Sequence, residues 1–423
     1  MTAVLAIVPL ALLALGTPVF LVFLAAVTLT LVFVLPIPPL ALHQVMFGGL
    51  DHYALLAIPF FVFAGELMGA SGIASRLIAW VLALVGRMPG SLGVATVGAS
   101  TAMGAISGSS VAAVGALGKT LYPRLVEGGY GRERAAGLIA SSGAVDIVIP
   151  PSIAMILYGL AAEQSIPRLF MAGILPGLLI ASMISVFIVL MATVKGIPVV
   201  GRFDVRKALS ATKDAVAALF MPVFVLGGIY NGWFSPTEAG GFACLYAMIV
   251  ARFVYRSMSW GDIVQAAGNA AMLSARIMVI VAAASIATWL LTTQGVPQAI
   301  VTWIEALDMS PVMFLLVVNM VLLGIGCLLD PTTAILVLAP LLVPIAVSLG
   351  VDPVHFGIVM TVNLAIGMFT PPFGLNIFVA QSVTGLPAHA IYRGIVPFLA
   401  VLVTALLIIT YVPALSLALA PAI

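Results

Sequence analysis

The chain has 423 residues, of which 63% are hydrophobic and 7% charged, with a formal net charge of +2. Soluble domains carry about 25% charged residues, so composition excludes a soluble globular protein. The near-neutral charge, without a basic run, excludes a nucleic-acid surface. The apolar segments do not alternate with polar residues, which excludes a barrel and leaves an all-α polytopic membrane protein.

In chain order, Thr2 to Leu15 and Pro18 to Val34 read as two helices split at Gly16-Thr-Pro18. Met1 onward lacks a basic n-region and a cleavage site, and is expected to be mature transmembrane helix. A proline-rich turn and a polar patch from His43 to Tyr53 precede a crossing from Ala54 to Gly69. The amphipathic segment Ile73 to Gly86 is expected to lie along the interface. Ser91 to Leu125 is apolar but interrupted by Gly104-Ala-Ile-Ser107-Gly108-Ser109-Ser110, which predicts a re-entrant helical hairpin.

Arg132 to Glu163 contains Ile149-Pro-Pro-Ser152 at its centre. Proline lacks a backbone N–H and its ring clashes with the preceding turn, so the pair predicts a membrane helix broken at mid-depth. Leu169 to Val194 crosses back, and Lys195 to Lys213 is expected to be the most polar loop. A helical pair follows, Ala215 to Tyr230 and Glu238 to Val250. Next come an interfacial stretch at Ser259 to Asn269, a crossing at Ser274 to Leu291 and an interfacial segment at Pro297 to Leu307. Pro311 to Leu349 predicts a second hairpin, interrupted at Asp330-Pro-Thr-Thr333. Pro353 to Val383 carries the second double proline, in Thr370-Pro-Pro-Phe373, and Arg393 to Leu417 is the last crossing.

The two double prolines are 221 residues apart, as are Pro123 and Pro344, and Gly173-Ile-Leu-Pro176 and Gly394-Ile-Val-Pro397. The chain therefore reads as an internal repeat. Five of the 16 Lys and Arg lie between Lys195 and Lys213, and Lys119, Arg124, Arg132 and Arg134 flank the first hairpin. None lies from Ile277 to Tyr392. By the positive-inside rule the first hairpin opens from the cytoplasm and the second from outside, an inverted-topology repeat with both termini external; Arg168 is the exception. The expected units are 1–53 (N-terminal scaffold helices), 54–194 (first repeat), 195–256 (cytoplasmic loop and scaffold pair) and 257–423 (second repeat).

Unwound backbone at membrane depth is tolerated where it lines a polar cavity, and paired breaks point to a transporter's binding site. Helix N-termini there favour anions and C-terminal carbonyls favour cations. The oxygens of Ser107, Ser109, Ser110 and Ser152 suit sodium, as do those of Asp330, Thr332, Thr333 and Thr370 and the carbonyls around Gly367. Asn376 can touch ion or substrate. Taken singly, a serine in a membrane helix is a packing position; clustered at paired breaks, these residues favour ligation. Asp146, four residues before the first double proline, is a cation ligand, a proton-sensitive group or the partner of an internal cation. Glu66 is expected to hydrogen-bond a neighbouring helix, and Glu238 to support a helix start. The four histidines are scattered without metal-ligand spacing. Cys244 and Cys327 read as small hydrophobes. There is no His-Glu-x-x-His and no phosphate loop, so the chain is not expected to be an enzyme or to bind a cofactor, and an ion gradient supplies the energy.

Leu56-Ala-Ile-Pro-Phe-Phe-Val-Phe-Ala-Gly65, Ser107-Gly-Ser-Ser110, Ile149-Pro-Pro-Ser152, Leu329-Asp-Pro-Thr332 and Thr370-Pro-Pro-Phe-Gly-Leu-Asn376 resemble the large membrane (M) subunit of tripartite ATP-independent periplasmic (TRAP) transporters. The resemblance runs along essentially the whole chain. It implies sodium-coupled import of an organic acid across the bacterial inner membrane by an elevator mechanism. It also implies two partners, a small membrane (Q) subunit, absent here and therefore separate, and a periplasmic substrate-binding (P) protein. C4-dicarboxylates, sialic acid, keto acids and sugar acids all remain open as substrates.

Carried over by motif, one sodium lies between Ser107, Gly108, Ser109 and Ser110 and the break at Pro150 and Ser152. A second lies between Gly326, Asp330, Thr332 and Thr333 and the break at Gly367, Thr370 and Phe373. The substrate sits near Ser110, Thr332 and Asn376. Asp146 departs from the family pattern, which has a small neutral residue there. The rival readings are a self-sufficient sodium/dicarboxylate symporter, a proton-coupled anion transporter without a binding protein, and a channel.

Overall fold

A computed structural model describes residues 8–9, 11–12, 15–33, 38, 40–86, 88–199 and 204–420. The expected first helix, Thr2 to Leu15, falls mostly outside them.

The described elements are helical. They run α1 (Val19–Phe33), α2 (Leu40–Leu50), α3 (Ala57–Ala70), α4 (Ile73–Val85), α5 (Ser91–Ser107), α6 (Ser110–Glu127), α7 (Arg132–Val148), α8 (Ile153–Ala161) and α9 (Ile166–Lys195). After them come α10 (Val205–Tyr230), α11 (Pro236–Ile249), α12 (Trp260–Thr293), α13 (Val296–Ala306), α14 (Pro311–Gly326) and α15 (Pro331–Ser348). The chain closes with α16 (Pro353–Gly367), α17 (Leu375–Thr384), α18 (Ala388–Tyr411) and the short α19 (Ala414–Leu417). Among the described residues, seven helices are long and apolar enough to cross a membrane, or eight if the bent pair α7–α8 is one span. That pair is bent by 45°. The chain is a multi-pass membrane protein.

Helix starts follow local chemistry. Ser165, Ser310 and Asp352 cap α9, α14 and α16, each followed by a proline in the first turn where no N–H is needed. Ser235 with Glu238, and Ser259 with Asp262, form reciprocal capping boxes. The first settles Glu238 as a helix-start acid.

Two boundaries differ from the sequence reading. The polar loop is shorter, because α10 begins at Val205 on the Asp204 cap. The separate interfacial and crossing segments around Ser259 and Leu291 are one 34-residue helix, α12. No proline interrupts it, and the Ser259 box starts it early.

Two half-helices form the centre. Every residue from Ala135 to Val148 of α7, and from Val354 to Gly367 of α16, is buried. Helices enclosed on all sides need no amphipathic stripe, which is why small and apolar residues surround both. The α5–α6 hairpin packs on α7, and the α14–α15 hairpin on α16. The second arms then cross over: α6 packs on α17, and α15 on α8. Each hairpin thus rests on both broken helices. The 17-residue α5 and the 16-residue α14 rise roughly 25 Å at about 1.5 Å per residue, short of a hydrocarbon core of about 30 Å.

Polar ties fix the ends. Tyr130 donates to the Gly90 carbonyl at 2.8 Å and accepts from the Gly93 N–H at 3.0 Å; burial pushes its phenol up to about 12. Arg168 faces Asp352 at 4.0 Å and donates to the Ala420 carbonyl.

Candidate functional site

The first hairpin turns at Gly108, with φ +56°, and Ser109, which is extended. A Cβ at Gly108 would meet the Pro151 carbonyl oxygen at 2.6 Å. Only glycine satisfies both the left-handed backbone and this approach. The turn therefore lies directly on the break between α7 and α8, where the Pro150–Pro151 bond is cis. Ser152 caps α8, accepting from the Met155 N–H at 3.4 Å. Ser107 Oγ accepts from the Ser109 N–H at 3.4 Å. The motifs Ser107–Ser110 and Pro150–Ser152 are thus brought together as expected.

The second hairpin meets the second break in the same manner. A Cβ at Gly367 would lie 2.4 Å from the Gly326 carbonyl carbon. Asp330 caps α15, accepting from the Thr333 N–H at 3.1 Å, the Thr333 hydroxyl at 2.6 Å and the Thr332 hydroxyl. Thr370 donates to the Ile366 carbonyl at 2.8 Å, leaving its oxygen lone pairs free. Phe373 is exposed, in a cavity of about 380 Å³ shared with Gly326 and Asp330. The Pro371–Pro372 bond is also cis.

A cavity of about 560 Å³ joins the two turns. Ser109 and Ser110 line it from one hairpin, Asp330 and Thr332 from the other. Four helices begin at its wall: α6 at Ser110, α8 at Ile153, α15 at Pro331 and α17 at Leu375. A helix N-terminus carries N–H groups outside the helical ladder and a partial charge of roughly +0.5; at α8 and α15 the Ser152 and Asp330 caps each take up one of those N–H groups.

Ser110 and Thr332 share the cavity wall, whereas Asn376 stands behind it. Asn376 is fully buried and donates to the Ser110 hydroxyl at 2.6 Å and to the Ala140 carbonyl at 3.2 Å. Asp146 is also fully buried and does not line the cavity.

Sequence reasoning missed two charged lining residues, Arg276 and Glu66. Arg276 is exposed at the middle of α12, beside Leu273, Ile277 and Ile280. It is the sole Lys or Arg in the wall. The sequence signal was present, an arginine central to a long apolar helix, but splitting α12 into two segments placed it near an end. Among the described residues no group of three or more His, Cys, Asp or Glu could hold a metal. A cation here would need hydroxyl and carbonyl oxygens, which both turns supply.

The fold and sequence match known proteins. The structure is similar to that of the Alcanivorax borkumensis YdaH transporter, with a TM-score of 0.63 and 15% identity over 90% of each chain. The sequence is 44% identical over 374 residues, 88% of each chain, to the C4-dicarboxylate TRAP transporter large permease protein DctM of Pseudomonas aeruginosa. It is 39% identical over 375 residues to the isethionate TRAP transporter permease protein DctMQ of Oleidesulfovibrio alaskensis, covering 88% of this chain and 59% of that one. The family model for the tripartite ATP-independent periplasmic transporter DctM component matches residues 6–415. The chain belongs to that family, the large permeases of TRAP transporters, and is an inner-membrane protein.

Proposed function

We propose that this permease imports a small organic anion together with sodium ions, by movement of the two hairpins and the broken helices past the remaining helices. The observation that carries the anion reading is the convergence of four helix N-termini and the Arg276 guanidinium on one cavity of about 560 Å³. N–H groups at helix ends and a guanidinium fork suit a carboxylate or sulfonate. C4-dicarboxylate and isethionate, carried by the two relatives, are anions of this kind. In this reading Ser110 and Thr332 contact the solute from opposite turns, and Asn376 holds Ser110 in place.

Sodium would be held at two places: by Ser107, Ser109 and Ser110 with the carbonyls around Pro150 and Ser152, and by Asp330, Thr332, Thr333 and Thr370 with the carbonyls around Gly326 and Gly367. Phe373 lies at the edge of the second. Closely packed turns with oxygen-rich walls support this assignment. The repeats, which recur in helix order from α5 to α9 and again from α14 to α18, would be inverted across the membrane. The scaffold would comprise 1–53 and the helix pair of 195–256. The partners are a small membrane subunit, which the isethionate relative's name joins to the large one, and a periplasmic binding protein.

Proteoliposomes containing the chain with both partners should accumulate the organic acid when a sodium gradient is imposed. Accumulation without sodium, or without the binding protein, would overturn that part of the reading.

A further inference from the structure

Asp146 stands in the last turn of α7, where the sequence left its role open. Its side chain is completely buried. Oδ1 lies 2.9 Å from Ser100 Oγ, and that same Oγ lies 3.0 Å from the Ser142 carbonyl oxygen. Oδ2 is enclosed and has no hydrogen-bond partner among the described residues.

A serine hydroxyl has one proton. Given to the Ser142 carbonyl, which can only accept, it leaves Ser100 Oγ presenting lone pairs to Asp146. The 2.9 Å contact is then a hydrogen bond only if the carboxyl group supplies the proton. Given instead to Asp146, it leaves the Ser142 carbonyl facing a lone pair, and buries an ionised carboxylate with one bond and one bare oxygen. Such a charge is tolerated only when paired. The Ser142 hydroxyl cannot help, because it donates to the Ile139 carbonyl at 2.9 Å.

Nor does a cationic side chain answer it. The helices packed on α7 are α5, α6, α9, α16, α17 and α18. Neither α5 nor α17 has an ionisable side chain. On α6 they are Lys119, Tyr122, Arg124 and Glu127; on α9, Arg168 and Lys195; on α16, His355; on α18, His389, Tyr392, Arg393 and Tyr411. The ion pairs among the described residues are Arg168 with Asp352 and Arg393 with Glu133, and none reaches Asp146.

We propose that Asp146 carries a proton in this conformation and is a proton-coupling site, loading from one side of the membrane and releasing to the other once per solute. The coupling half of this inference rests on the transport reading above; the presence of the proton does not.

Two measurements test it. Infrared spectra of the purified protein labelled with 13C-aspartate should show, at neutral pH, a carboxylic-acid C=O band that disappears in Asp146→Asn. A wild-type spectrum without that band overturns the proposal, and needs no variant to fold. In proteoliposomes with both partners, solute should drive proton entry reported by a trapped pH dye. Asp146→Asn, which mimics the protonated group, should lose net uptake yet keep solute exchange, because exchange does not require proton release. Sodium-driven uptake without proton entry would overturn coupling at Asp146 while leaving the transport reading intact. Absence of any wild-type uptake would overturn the transport reading, and the infrared band would still decide whether the proton is there.

Discussion

Asn376 and Ser110, 266 residues apart in sequence, are joined by a 2.6 Å hydrogen bond in the buried wall behind the cavity. The second broken helix thereby sets the orientation of a hydroxyl on the first hairpin. Replacing Asn376 by alanine removes the donor to the buried Ser110 hydroxyl and a second donor to the Ala140 carbonyl. We expect a stability loss of about 1–3 kcal/mol and a raised KM for solute. Chemical denaturation and uptake kinetics, respectively, check the two effects; a Ser110→Ala variant with unchanged KM would place the solute elsewhere.

Arg276 contributes the guanidinium of the cavity wall. Because it is exposed and forms no ion pair among the described residues, Arg276→Gln should cost little stability. Solute affinity should fall by about tenfold or more, the worth of a charge-assisted hydrogen bond of roughly 1.5–3 kcal/mol. Arg276→Lys, which keeps the charge but not the fork, should recover part of it. Equal KM in all three proteins would remove Arg276 from the solute's path.

Asp330 gathers Thr332 and Thr333 at the start of α15. Asp330→Asn keeps the size and some acceptor capacity but removes the charge that a cation would face. Sodium-dependent uptake should be abolished while the protein remains folded. The check is uptake against sodium concentration beside a thermal unfolding curve. An unaltered sodium curve would exclude the second ion site.

Gly367 approaches the Gly326 backbone so closely that an alanine Cβ would lie 2.4 Å from a carbonyl carbon. Backbone on both sides must shift, at a cost of about 1–3 kcal/mol or more. Gly367→Ala should therefore lower Tm and uptake together, whereas Gly324→Ala, with nothing within 4 Å, should change neither.

Much of this molecule was legible in its residues. Double prolines cannot continue a helix, so the breaks at Pro150 and Pro371 followed from covalent chemistry alone. Gly108 and Asp330 marked the two turns by conformational freedom and capping chemistry. What escaped was long-range. The resemblance put Ser110 and Asn376 near one another, but that Asn376 would stand behind the wall and donate to Ser110, or that Arg276 would line the cavity between both turns, depends on how separate helices cross, which local pattern does not encode. The length of α12 escaped because a polar first half and an apolar second half look like two segments, although nothing between them stops a helix.

The exchange of arms between hairpins and broken helices also bears on biosynthesis. The surface of α6 that receives α17 leaves the ribosome about 250 residues before its cover does, a delay of roughly 12–50 s at ~5–20 residues per second. Until then a flank carrying the Ser110 hydroxyl and the exposed backbone of Gly115 and Gly118 stands in lipid or beside the insertion machinery without its permanent neighbour. The early half of the polypeptide must accordingly wait, inserted but incomplete, for the late half to arrive and close it.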